Sequence, residues 1–245
     1  MLKLLSSEDL LPPASQALRV PNGLVAAGGA LTVDWLLRAY SQGIFPWYSA
    51  GDPILWWSPT PRMVLTVENF RLHKSLFKRI KQWASEGDVT LTINTDFAAV
   101  INHCAGPRNG TSGTWILPQM VAAYESLHHA GYAHSFEVRR AGVLIGGLYG
   151  VGIGHMFYGE SMFTRQTDAS KVALVALVNV LKQFGCPIVD CQQQTAHLAS
   201  MGATPIPREL FLTQVKQLTQ QPSLPWQHLH QKDMLPALAN AIFKS

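Results

Sequence analysis

Beyond residue 70 the hydrophobic positions of this chain change period in regular steps. In RLHKSLFKRIKQWA (71–84), Leu72, Leu76, Ile80 and Trp83 recur at helical spacing, while Arg71, Lys74, Lys78 and Lys81 occupy the other face. That pattern predicts an amphipathic helix. VTLTI (89–93) alternates and is β-branched, so it reads as a strand. DFAAVINHC follows, with Asp96 placed as an N-cap, and LPQMVAAYESLHHAG forms a second amphipathic helix closed by Gly131. AHSFEVRR and VLIGGLYGV, joined by Ala141-Gly142, predict a hairpin, and HMFYGESMF a further strand. DASKVALVALVNVLKQFG reads as a helix capped by Asp168 and ended by Gly185; its middle is apolar on all sides, so it is buried. PIVDCQ is a strand, and TAHLASMG and PRELFLTQVKQL are helices.

The first 66 residues keep neither period for long. PNGLVAAGGAL places turn signals around a short apolar stretch, and a brief helix is predicted near 33–41. Then Pro46, Pro53, Pro59 and Pro61 fall among Trp47, Tyr48, Trp56 and Trp57. Prolines this dense exclude a long helix or a central strand, so the aromatics pack from loops and short strands. Residues 1–66 are therefore expected to form a small irregular N-terminal domain, and residues 67–245 an α+β sandwich with a mixed sheet. The element order resembles the layout of the acetyltransferase-like (GNAT-like) fold.

Composition narrows the class. The chain has 245 residues, of which 47% are hydrophobic and 14% charged, which suits a globular protein with a sizeable core. A net charge of +4 permits an anionic partner. Cys104, Cys186 and Cys191 are odd in number and lack C-x-x-C spacing, so a reducing cytoplasm without structural zinc is expected. The longest charge-free apolar run in a helical context, Val172–Leu181, falls short of the ~20 residues that span a bilayer. Glu8 and Asp9 interrupt the N-terminus before a targeting core could form, so no targeting segment is expected.

The most unusual stretch is GGLYGVGIGHMFYGESMF (146–163), apolar and glycine-laced, with Glu160 as its one formal charge. A dinucleotide-type glycine loop would need glycine where His155 stands, and a nucleophile elbow on Ser161 would need glycine where Phe163 stands. Glu160 either pairs with Arg165 or Lys171 nearby in sequence or has a purpose that this stretch alone leaves open. Asp190 and Gln192 end a strand two residues apart and are expected to point to one side. They read either as a helix cap and a surface amide or as parts of a site. Cys191 and His197 read as a buried thiol and a nearby imidazole, or as a thiol hydrolase pair. The cationic face of Lys74, Lys78, Arg79 and Lys81 is either solvated or a phosphate-binding surface.

GIFPWY (43–48), DPILWWSPTPR (52–62), GTWI (113–116), AHSFEV (133–138), GGLYGV (146–151), GESMF (159–163), ASK (169–171) and DCQ (190–192) occur together and in this order. As a set they closely resemble the leucyl/phenylalanyl-tRNA–protein transferase family, from about Pro21 to Arg208. The resemblance implies transfer of leucine or phenylalanine, with methionine a candidate third, from aminoacyl-tRNA to proteins that begin with Lys or Arg, marking them for degradation. The partners implied are aminoacyl-tRNA and such proteins, with neither DNA nor a membrane, and no cofactor or metal. It implies catalytic roles for Asp190, Gln192 and Glu160, the last receiving the acceptor's cationic side chain. An apolar donor pocket would be drawn from Leu148, Phe157, Met162, Leu174 and Val189. Trp47 and Trp115 match positions that stack the terminal adenosine, and the basic helix is the place for phosphates. Where the family pattern has Asn shortly after DCQ, this chain has Thr195.

The implied reaction is aminolysis of an activated ester. An α-amine titrates near ~7.7–8.0 and is already partly neutral at pH 7, so orientation should carry more of the rate than a strong base. Two rivals fit less of the chain. A coenzyme A-dependent N-acyltransferase needs a glycine-rich pyrophosphate loop, but TRQTDASK has no glycine and RRAGVL falls on the hairpin. A non-catalytic RNA-binding module leaves Glu160, Asp190 and Gln192 unexplained.

Overall fold

A computed structural model describes residues 2–107, 116–229 and 233–241. The N-terminal stretch is more regular than its prolines suggest. Strands β1 (Lys3–Leu5) and β2 (Leu24–Gly28), helix α1 (Val33–Tyr40), and strands β3 (Phe45–Pro46) and β4 (Leu55–Trp57) form a small sheet of order β1-β2-β4-β3 with one helix. The prolines keep these strands to five residues or fewer rather than abolishing them. Thr32 caps α1 by accepting from the Trp35 amide.

The remaining elements are β5 (Arg62–Thr66), α2 (Lys74–Glu86), β6 (Val89–Ile93), α3 (Phe97–Ala105), α4 (Pro118–His129), β7 (Ala133–Arg140), β8 (Val143–Ile153), β9 (Met156–Thr164), α5 (Ala169–Gln183), β10 (Ile188–Gln192), α6 (Ala196–Ser200), β11 (Thr204–Ile206), α7 (Arg208–Leu218) and α8 (Leu235–Ala241). Their strands build a seven-stranded sheet of order β11-β5-β10-β9-β8-β7-β6. All neighbours are antiparallel except β9 and β10, which are joined by α5 and run parallel. This is the α+β arrangement with a mixed sheet that the periodicity predicts. Strand β5 falls within the expected small N-terminal unit, yet it is the second strand of the large sheet. β11 and α8 carry too little pattern to be read locally.

One side of the sheet packs on α2, α5 and α8, the other on α1, α3, α4 and α7. Helix α5 buries eleven of its fifteen residues, as its apolar composition requires. Its first turn sits directly on β8, where a Cβ at Gly146 would collide with Ala169. Asp168 precedes α5 in the left-handed region (φ 74°) and makes no capping bond, contrary to the sequence reading. Its carboxylate instead faces Lys171 and Arg79.

Two irregularities shape the centre of the sheet. β9 and β10 pair only between Met156–Tyr158 and Ile188–Asp190. Beyond that they part, while β9 runs on to Thr164. At the fork each strand carries a β-bulge: Glu160 is the extra residue where Gly159 and Ser161 face Gly150 and Tyr149, and Cys191 is the extra residue between Asp190 and Gln192 opposite β5. Bulges re-aim side chains, and both polar residues of interest lie at one.

Candidate active site

The gap between β9 and β10 opens into a cavity of about 500 Å³. Leu148, Met162, Leu174 and Val189 line it, as expected for a donor pocket, joined by Leu177 of α5 and Phe45 of β3. Phe157 does not line it. That residue lies in the still-paired part of β9, and its buried ring packs 5.9 Å from Trp226. Trp47 stands at the rim, 40% exposed, with its ring edge-on to Trp57 at 5.8 Å. The Trp57 indole N–H donates to the Trp47 carbonyl at 2.6 Å, which fixes the backbone beneath the exposed ring. Trp115 lies outside the described residues.

The mouth carries Gln193, Thr195 and His197. Thr195 is committed to local structure: its Oγ1 accepts from the Leu198 amide at 3.2 Å and caps α6. The Cys191–His197 hydrolase reading finds no support in the thiol's surroundings. Cys191 Sγ donates toward the Val189 carbonyl at 3.8 Å, and burial pushes the thiol far above its usual titration range, so it stays protonated and unreactive.

Glu160 closes one end of the cavity. Neither Arg165 nor Lys171 reaches it: Arg165 donates to His103, and Lys171 pairs with Asp168. Instead three neutral groups donate to its carboxylate. Tyr40 Oη reaches Oε1 at 2.8 Å, Tyr124 Oη reaches Oε2 at 2.9 Å, and Gln192 Nε2 reaches Oε1 at 2.8 Å. Burial raises the Glu160 pKa to about 7, and the two tyrosines oppose that rise by bonding the charged form. Both phenols are held well above their ordinary range, chiefly by burial and then by the Glu160 charge, so they remain donors.

Gln192 bridges the fork. Its backbone is left-handed (φ 60°), held by its own N–H donating to Asp190 Oδ1 at 2.8 Å. Because Nε2 faces Glu160, the side-chain carbonyl oxygen is the end left for a substrate. Asp190 departs from expectation. The bulge at Cys191 breaks the two-residue alternation, so Asp190 and Gln192 do not share a side. Asp190 is fully buried and absent from the cavity wall. Its carboxylate pairs with Arg62, Nε to Oδ1 at 2.7 Å and Nη2 to Oδ2 at 2.6 Å. The guanidinium lies between the rings of Phe45 and Phe211, 4.7 and 4.5 Å from their centroids. Asp190 is therefore out of direct reach of the cavity in this arrangement, and its link to it is the bond from the Gln192 backbone N–H.

Tyr40, Tyr124, Arg62, Phe45 and Leu177 escape a reading of the sequence. Tyr40 and Tyr124 occupy the apolar faces of α1 and α4, where a tyrosine looks like any core aromatic. Arg62 closes a proline-rich run that gives no strand signal. On the basic helix, Lys74 and Lys78 are exposed, whereas Arg79 lies over Trp83 and Lys81 over Phe77. That face is the cationic surface expected, standing beside α5.

Two sequence models match this chain: the leucyl/phenylalanyl-tRNA protein transferase over residues 64–216, and the N-terminal domain of that protein over residues 29–60. The chain belongs to the leucyl/phenylalanyl-tRNA–protein transferase family. It is 51% identical over 227 residues to the leucyl/phenylalanyl-tRNA–protein transferase of Bordetella bronchiseptica, covering 91% of this chain and 89% of that protein. Against the Chromobacterium violaceum transferase it is 51% identical over 222 residues, covering 91% and 94%. Among solved structures, FemX aligns at a TM-score of 0.43 and 11% identity, over 75% of this chain and 71% of that one, too distant to bear on the site. The gap between the two matched segments, residues 61–63, falls at the start of β5, the strand by which the N-terminal stretch enters the large sheet.

Proposed function

We propose that the cavity between β9 and β10 takes the aminoacyl end of the donor and that Glu160 receives the cationic side chain of the acceptor. The enzyme transfers an aminoacyl group, leucyl or phenylalanyl, from tRNA to a protein. The observation that carries the assignment of roles is the hydrogen bond from Gln192 to Glu160. It sets a neutral amide and a carboxylate bonded only by neutral donors side by side at the end of an apolar cavity.

Leu148, Met162, Leu174, Leu177 and Val189 offer the donor side chain shape alone, which suits leucine and phenylalanine. Met162 is unbranched and adapts to either. Discrimination against smaller aliphatic donors is worth about 1–3 kcal/mol per missing methylene in such a pocket. Trp47 offers its exposed face to the terminal adenosine, a contact typically worth ~1–3 kcal/mol. Glu160, already bonded by three donors, gains its missing counter-charge when a lysine or arginine side chain arrives, and such charge-assisted bonds are strong. This reading favours acceptors that begin with Lys or Arg, the class of protein tagged for degradation.

The α-amine of that acceptor then lies within reach of the Gln192 carbonyl oxygen, which accepts a hydrogen bond from one of its N–H groups and aims the lone pair at the ester carbonyl. The N–C bond forms, the bond to the ribose oxygen breaks, and the amine's proton ends on that oxygen. Asp190 is a positioning residue in this scheme: it holds the left-handed backbone of Gln192. The exposed cations of α2 take phosphates of the tRNA body. No helix among the described residues is long and apolar enough to cross a membrane, and the three free cysteines suit a reducing cytoplasm.

The test is incubation with labelled Leu-tRNA and a Lys-terminated peptide, without ATP or coenzyme A. Label should enter the peptide, and Gln192→Ala and Glu160→Ala should lose that transfer while still binding a donor analogue. Transfer at wild-type rate in both variants would move the site elsewhere.

A further inference from the structure

Between the basic face of α2 and the mouth of the cavity lies a cationic side chain with no part in the roles above. Lys171 occupies the first turn of α5, three residues before Leu174 and six before Leu177, both of which line the cavity. Residues three apart are neighbours on a helix surface, so Lys171 adjoins Leu174, which in turn adjoins Leu177. One stripe of α5 therefore carries cavity wall in its middle and an ammonium where the helix emerges. Lys171 Nζ lies 3.1 Å from Asp168 Oδ1, and Asp168 Oδ2 lies 3.7 Å from Arg79 Nε of α2. Two cations thus share one carboxylate, and the cluster keeps a net positive charge. Its cations face solvent, with Lys171 39% and Arg79 36% exposed. On its other side the Lys171 charge is felt by His197 at the mouth; burial first, then Lys171, lowers the imidazole pKa below its usual value.

We propose that Lys171, backed by Arg79, binds the phosphate on the 5′ side of the donor's terminal adenosine. The inference rests on the reading of the cavity as the donor pocket. In an aminoacyl-tRNA the ester sits on one side of the terminal ribose and the 5′ phosphodiester on the other. With the acyl chain against Leu174, the ribose occupies the mouth and its phosphate emerges toward the solvent end of α5. Lys171 stands there as a compact point charge, suited to phosphate. Asp168 holds it in place until the phosphate arrives, and through Arg79 the same cluster leads to Lys78 and Lys74. The cations of α2 and the cavity are then joined in one continuous track for the 3′ end of the tRNA.

The experiment compares two non-hydrolysable donors, 3′-leucylamino-3′-deoxyadenosine with and without a 5′-phosphate, as ligands of the full chain. Wild-type protein should bind the phosphorylated form about tenfold tighter, the lower range for a bond between charged groups. Lys171→Gln should abolish that advantage and leave the unphosphorylated form and the melting temperature unchanged. Asp168→Asn, which releases Lys171 from its counter-ion, should enlarge the advantage. Equal affinity of the two forms in wild type, or equal weakening of both in Lys171→Gln, overturns the assignment. A separate variant, Leu174→Trp, fills the cavity and should abolish binding of both forms. Undiminished binding of the unphosphorylated form by that variant overturns the donor-pocket reading, and this inference with it.

Discussion

Two buried carboxylates stand on adjacent strands at the fork of the large sheet, and their surroundings differ in kind. Asp190 faces Arg62, with two hydrogen bonds, aromatic rings on both sides of the guanidinium, and no exposure of either side chain. Glu160 faces two tyrosines and a glutamine, none of which carries a positive charge. A buried ion pair joined by two hydrogen bonds is balanced in charge, although Arg62 Nη1 finds no partner among the described residues, and it holds its neighbours in place without needing a ligand. A buried carboxylate that meets only neutral donors is solvated but not neutralised, and its pKa climbs to about 7. The first carboxylate is neutralised within the protein; the second is not, which is why the proposed function gives it a cation to receive. Residues that look equivalent along the chain thus end in opposite electrostatic states according to what faces them.

The largest expected effect comes from breaking the balanced member. Asp190→Ala strands the Arg62 guanidinium in the core, and loss of one partner of a buried pair costs about 3–5 kcal/mol. The variant should melt well below wild type, and its activity should fall along with its folding. An Asp190→Ala protein that melts like wild type and fails only in turnover would show Asp190 to be a reacting group and break the contrast.

Next in size is Gln192→Ala. The side chain contributes orientation of the amine, and misplacement of a reacting group can cost about 10²-fold in rate. Single-turnover transfer should drop by that order, with donor-analogue affinity and melting temperature close to wild type. Loss of donor affinity instead would make Gln192 part of the pocket wall.

Glu160→Gln keeps the shape and removes the charge. Hydrogen bonds to charged groups are worth roughly 1.5–3 kcal/mol, so affinity for Lys- or Arg-terminated peptides should fall about tenfold or more. The pH dependence separates the two proteins further. Because the Glu160 pKa is raised above its ordinary value of 4.5 to about 7, the carboxyl is mostly neutral below that point. Acceptor affinity of wild type should therefore rise as pH increases through 7, and that of Glu160→Gln should stay flat. Stability has the opposite sign. The stabilisation from keeping this carboxyl protonated is complete below pH 4.5 and is lost as pH rises to about 7. Wild type should lose melting temperature relative to Glu160→Gln across that interval. A wild-type affinity profile that is level through pH 7 would mean that Glu160 is balanced by a charge, as Asp190 is.

The smallest effect sharpens the comparison rather than breaking it. Tyr124→Phe removes one donor from the Glu160 carboxylate, worth about 0.5–1.5 kcal/mol. The midpoint of acceptor binding should move up by up to about one pH unit. NMR titration of the wild-type and variant carboxyl would show the shift directly, and an unmoved midpoint would mean that Tyr124 does not support the charge.

Much of this was legible in the chain itself. The amphipathic pattern of α2, the hairpin turn at Ala141-Gly142 and the all-apolar α5 are short-range signals, because periodicity and turn chemistry act within a few residues. The ordered motifs pointed to the family, and the family implied the polar residues and four of the five donor-wall residues that the cavity brings together. Glu160 stood out for a local reason as well: it is the lone charge on an apolar strand. Phe157 was misplaced because strand alternation cannot say where two strands stop pairing. Asp190 was expected to face the substrate because alternation cannot foresee a bulge. Tyr40, Tyr124 and Arg62 carried no local mark at all, since Tyr40 lies 120 residues from Glu160, and Arg62 lies 128 residues from Asp190.

The sequence by itself determined where most of the helices and strands beyond residue 70 form, which faces are apolar, and that a carboxylate, an amide and a second carboxylate end up on the central strands. Those outcomes follow from the preferences of each segment and from the apolar face it must bury. Only the tertiary structure decided which carboxylate is neutralised. That depends on whether a guanidinium or a phenol from a distant element arrives at the fork, and on where β9 and β10 part and bulge. Electrostatic balance is a property of atoms brought within a few ångströms of each other. Positions along the chain hold no record of it until the sheet has closed.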